Sequence, residues 1–80
     1  MVRAAMQTTI HVALVGEGTA VWRPVEANVL TDNRYEIRSP PPDPDDEIWE
    51  FSSGSVVRCE TRILSGEPVL VAVELLDHAV

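Results

Sequence analysis

Four carboxylates crowd one stretch of the chain, at Asp43, Asp45, Asp46 and Glu47. Acids this close in sequence are the oxygen ligands that calcium or magnesium takes. The spacing is not that of a calcium-binding loop, which alternates its ligands over about twelve positions around a central glycine and closes on a glutamate. Prolines at 40, 41, 42 and 44 also stiffen the segment. A solvated acidic loop is therefore expected, with no metal and no cofactor, able to attract or repel partners electrostatically. Nucleophilic chemistry is no better supplied. Cys59 is the sole cysteine, and the two histidines, His11 and His78, stand near opposite ends of the chain. Cys59 falls on the apolar set of an alternating strand, where a thiol behaves as a small hydrophobe. Ser52, Ser53, Ser55 and Ser65 lie in turn-forming contexts, and none sits in a Gly-x-Ser-x-Gly elbow. The chain reads as a non-enzyme.

The remaining residues of chemical interest suit binding. Tryptophan and arginine are the side chains most enriched among the energetic anchors of interfaces, and Trp22 and Arg23 are adjacent. Trp22 falls on the set opposite Val21 and Val25, a phase that exposes it unless Pro24 bulges the strand and returns it to the core. Trp22 and Arg23, with Asp43, Asp45 and Asp46, form the expected protein-binding surface.

Charge narrows the partner. Thirteen acids face six bases, giving a net charge of −7, and all six bases are arginines. Phosphate binding needs a basic stripe that releases counterions, so nucleic acid and anionic membrane are excluded as expected partners. An acidic chain stays soluble or meets a basic protein surface. A lone cysteine permits no internal disulfide, and no apolar run approaches transmembrane length or forms a convincing secretory segment. These features fit the cytoplasm.

The elements that must position these residues follow a period of two. Residues 1–6 read as a flexible leader and residues 7–80 as one β-domain. Ile10, Val12 and Leu14 alternate in a first strand that ends at Gly16-Glu17-Gly18. Val21, Val25, Ala27 and Val29 mark a second strand, where Pro24 implies an edge, a bulge or a bend between sheets. Thr31-Asp32-Asn33 supplies a turn, and Tyr35 and Ile37 point inward from a third strand. Ser39-Pro40-Pro41-Pro42-Asp43-Pro44-Asp45-Asp46 can be neither helix nor central strand, because proline removes backbone donors. A fourth strand is expected at residues 47–51, placing Trp49 and Phe51 in the core. Val57, Cys59, Thr61 and Ile63 then alternate with Arg58, Glu60 and Arg62, predicting one buried and one solvated face. Arg58 and Arg62 flank Glu60 there and can pair with it. After Ser65-Gly66-Glu67-Pro68, the run at residues 69–76 is apolar on both faces, as in a strand covered on both sides.

No helical periodicity persists. Five or six sequential strands on short turns, too small to bury an apolar face without curling, predict an all-β, antiparallel, partly open barrel with one long Pro/Asp-rich loop. The strand number, the curl and the single long loop resemble the SH3-like barrels, an architecture that hosts many roles. The segments Gly18-Thr19-Ala20-Val21-Trp22-Arg23-Pro24-Val25-Glu26-Ala27, Tyr35-Glu36-Ile37, Glu47-Ile48-Trp49-Glu50-Phe51 and Gly54-Ser55-Val56-Val57-Arg58-Cys59 resemble small uncharacterised bacterial proteins built on Trp-Arg-Pro-Val and Trp-Glu-Phe strands. That resemblance implies a bacterial domain and brings no catalytic residue. The expected function is a protein-interaction or oligomerisation module whose partner is another protein or a second copy, as in a homodimer. The alternatives are an acidic, immunity-like blocker of a basic partner, and a small-ligand or metal-binding barrel.

Overall fold

Five β-strands and no helix make up the computed structural model, which describes residues 6–16, 21–31 and 33–77. Residues 1–5 of the leader expected at residues 1–6, the turn residues Glu17, Gly18 and Asp32, and His78 lie outside the described residues. The strands are β1 (Gln7–Ala13), β2 (Trp22–Val29), β3 (Arg34–Ile37), β4 (Val56–Leu64) and β5 (Glu67–Asp77). Neighbours in sequence pair antiparallel, as short turns favour, and the order β1-β2-β3-β4-β5 closes into a barrel. The all-β barrel read from the sequence is present. Its seam is a parallel contact between β1 and β5 through one registered pair, His11 and Val71.

Alternation places the core. Ile10 and Val12 of β1, Val25 and Ala27 of β2, Ile37 of β3, Val57 and Cys59 of β4 and Ala72 of β5 form one buried cluster, with Tyr35, Trp49, Phe51 and Leu70 packed against it. In β2 the register pairs Val25 with Ile10 and Thr8 with Ala27. Pro24 lies opposite His11, while β3 pairs β2 only from Ala27 to Val29. The proline therefore occupies a stretch with a β-neighbour on one side, where a missing N–H breaks no ladder.

Three expectations need correction. Residues 47–51 are not a strand; their β-pairing is one isolated bridge between Leu14 and Trp49. A turn at residues 44–46 and another at Ser53–Gly54, where Gly54 has φ 87°, leave too few extended residues between them. Trp49 and Phe51 are accordingly half-buried against the core instead of inside it. Thr61 and Ile63 share the phase of Val57 and Cys59 but are exposed, Ile63 by 66%. The cause is length: β3 registers with β4 only from Val56 to Arg58, and β5 meets β1 at Val71, so beyond these points β4 and β5 register only with each other. The third correction concerns β5, which is fully covered only at Val71 and Ala72. Its register with β4 shifts between Val56 and Val57 and again between Arg58 and Cys59, leaving Leu76 and Val73 as extra residues. Each such bulge reverses the side-chain phase, so an apolar run on both faces is partly a strand changing phase.

The two-stranded arm ends in a two-residue turn. Ser65 and Gly66 both have positive φ, 52° and 82°, the conformation whose twist matches that of a hairpin.

Candidate functional site

The long connection between β3 and β4 is held at several points. Ser39 accepts the Glu26 N–H on its hydroxyl at 2.9 Å, and its carbonyl accepts the Ser53 hydroxyl at 2.6 Å. Asp43 builds the central turn: its carboxylate accepts the Asp45 N–H at 2.9 Å, and its carbonyl accepts the Asp46 and Glu47 N–H groups at 2.8 and 3.1 Å. Proline at the next position fixes the φ that this turn requires. Beyond the turn, the Ile48 carbonyl accepts from Val15 at 2.7 Å and the Glu50 N–H donates to the Ala13 carbonyl at 2.8 Å. These bonds lay the loop against the end of β1.

Glu47 makes the side-chain tie. Its carboxylate accepts from Arg23 Nε at 2.9 and 3.0 Å, from Arg23 Nη2, and from the Trp49 indole N–H at 2.9 Å. Arg23 in first place and the indole in second hold the Glu47 carboxyl below its ordinary range, and Glu47 raises the Arg23 guanidinium in return. Charge-assisted, forked bonding of this kind fixes orientation as well as distance. It uses the one arginine that reaches the loop from β2.

The fixed loop shapes two hollows that share Pro44, Glu47 and Ile48. One, of about 200 Å³, is walled by Pro41, Pro42, Ile48 and Trp49. The other, of about 240 Å³, carries Asp45 and Asp46 beside Val15. Ile48 is 55% exposed. No arginine occurs between Arg38 and Arg58; Asp45, Asp46 and Glu47 line the hollows beside the apolar wall, and among the described residues Arg23 is the cation that pairs with one of them, Glu47.

The residues singled out in the sequence thus divide. Arg23 joins the loop that carries Asp43, Asp45 and Asp46. Trp22 does not, because successive strand residues point to opposite faces. It lies half-buried on the outer side of the barrel, in a second groove with His11 and Val21 of the β1–β2 hairpin and Leu64, Ser65, Glu67 and Val69 of the arm. Sequence reasoning missed Glu47 as a tether and missed the arm residues as a groove wall. The turn at Ser65-Gly66-Glu67-Pro68 marked where the second folds back, but nothing in the sequence said what the arm would face.

Other features have simpler roles. Arg58 donates to Glu74 across the strands at 2.8 Å and to Glu60 at 3.1 Å, while Arg62 lies 3.5 Å from Glu60. This is the solvated face expected for β4. Glu74 and then Glu60 raise the Arg58 guanidinium. Cys59 is 1% exposed, and burial pushes its thiol up to about 11, against a smaller opposing effect of Arg58. Among the described residues, no three His, Cys, Asp or Glu side chains gather in a group that could hold a metal ion, and no helix is long and apolar enough to cross a membrane.

No protein family, curated protein or solved structure matches the chain.

Proposed function

We propose that this chain is a non-enzymatic protein-interaction module of the bacterial cytoplasm, and that its contact surface is the loop at residues 39–54. The partner would be a protein surface on which basic side chains flank an apolar one. The observation that supports this reading is the pairing of an apolar hollow with an acidic one on a loop whose backbone is already bonded in place. A loop ordered in advance pays less conformational entropy on association. Acids around the patch would steer a basic partner and disfavour acidic ones. The immunity-like blocker is a special case of this chemistry.

A titration tests it. A short synthetic peptide alternating arginine and leucine should produce saturable NMR shifts at the Trp49 indole, Ile48 and Asp45, and its affinity should fall steeply with salt. Asp45→Asn with Asp46→Asn should weaken it. Shifts absent from residues 39–54, or an affinity indifferent to salt, would rule the reading out.

A second reading, self-association, is favoured by one observation: the arm carries Ile63 at 66% exposure. Sedimentation would show a dimer insensitive to salt and abolished by Ile63→Lys.

A further inference from the structure

The groove beneath the arm differs from the loop in its walls and its charge. Residue pairing fixes which side of the arm faces it: Leu64 lies opposite Glu67, and Arg62 opposite Val69, on the outward phase of β4 and β5. Val71 shares that phase, being registered with the exposed Glu60, yet it is fully buried and lies outside the main core cluster. The arm therefore covers part of the outer face of the barrel. What it leaves uncovered is a hollow of about 440 Å³, within the range of about 300–1,000 Å³ usual for small-molecule sites and larger than one side chain fills. Its apolar walls are Val21, Leu64 and Val69, with the indole of Trp22 beside them. Its polar groups are His11, Ser65 and Glu67.

Charge selects the ligand. Among the described residues, Glu67 is the one carboxylate in the lining and no arginine lines the groove. Among the described residues, no side-chain hydrogen bond or salt bridge engages Glu67, in contrast to Glu47, Glu60 and Glu74. An aromatic ring and a carboxylate that line one groove, with no arginine among its described walls, attract a positive ligand twice, through the face of the ring and through the charge. His11, also in the lining, adds an unspent polar atom: among the described residues its Nδ1 is buried with no hydrogen-bond partner.

We propose that this groove binds a small amphipathic organic cation, with its apolar body against Val21, Leu64 and Val69 and a guanidinium or ammonium head between Trp22 and Glu67. The site is independent of the loop and of any protein that docks there. Phenethylguanidinium serves as the probe, with phenethylurea as the uncharged molecule of nearly the same shape. The guanidinium should give saturable shifts of the Trp22 indole N–H and the His11 ring, and the urea should not. Glu67→Gln, an exposed substitution that leaves the fold intact, should weaken binding about fivefold, the scale of an exposed ion pair. Trp22→Leu should weaken it to a similar degree, while Asp45→Asn with Asp46→Asn should leave it unchanged. Equal binding of the urea, indifference to Glu67→Gln, or shifts that follow the Asp45 and Asp46 substitutions would each overturn the assignment.

Discussion

The Arg23 guanidinium grips both oxygens of the Glu47 carboxylate across 24 residues of chain, and the Trp49 indole donates to the same carboxylate at 2.9 Å. One arginine on a strand thereby adds a charged tie to a loop that backbone bonds and the Ser39 and Ser53 hydroxyls also hold. The same pairing occupies the cation that a sequence reading assigns to a partner. Arg23 thus shapes the binding surface without being free to form it.

The pH dependence of this tie follows from the lowered Glu47 carboxyl. A carboxyl depressed in the folded state contributes stability that is present above its ordinary value of 4.5 and lost as pH falls through the depressed value. Trp49 fluorescence should therefore hold steady through mildly acidic pH and change only below the ordinary carboxylate range. Glu47→Gln should show the changed emission at neutral pH and no acid transition of its own.

Two isoleucines on inward phases should respond differently to truncation. Ile37 is fully buried in the main cluster, so Ile37→Ala should cost about 3 kcal/mol in urea denaturation, the usual scale for a filled core site. Ile63 is 66% exposed on the arm, and Ile63→Ala should change stability by less than about 0.5 kcal/mol. Equal costs would show that the arm is packed in solution.

Cys59 gives a test in base. Its thiol rises from 9.0 to about 11 on burial, so the unfolded chain releases that proton first as pH increases. The stability tied to the protonated thiol is full below the unfolded value and is lost as pH rises through about 11. Urea midpoints of the protein should therefore fall faster than those of Cys59→Ala across that window. An alkylating reagent should label Cys59 only at the rate of opening.

At the arm's tip, Ser65 holds φ 52°, a conformation that asparagine tolerates better than serine. Ser65→Asn should raise the thermal midpoint, with a gain of about 0.5 kcal/mol. A loss would show that the serine hydroxyl has a stabilising partner that asparagine cannot replace.

Strand alternation and turn chemistry were legible without a structure. Ile10 and Val12, Val25 and Ala27, Ile37, and Val57 and Cys59 are the inward residues of successive strands, as their period of two requires. Asn33 takes positive φ, as its place in a turn anticipates. The proline and acid segment was recognisable as a loop because proline cannot donate to a ladder. These are local properties, set by backbone sterics and hydrogen-bonding capacity at each residue.

Cover and company were decided only in three dimensions. Cys59 and Ile63 have the same phase and similar neighbours in sequence, yet one is buried and the other exposed, because β3 and β1 flank the hairpin at one end and not at the other. Glu47 meets Arg23 because the loop folds back onto β1, a contact that no short-range pattern encodes. Trp22 and Arg23 are adjacent in sequence and serve different surfaces, one beneath the arm and one beside the loop. Periodicity tells which face a side chain takes, but long-range pairing tells what that face meets. By itself the sequence determined a small acidic β-barrel with a stiff loop, while the tertiary structure decided that the loop is tethered through Glu47 and that a second groove lies under the β4–β5 arm.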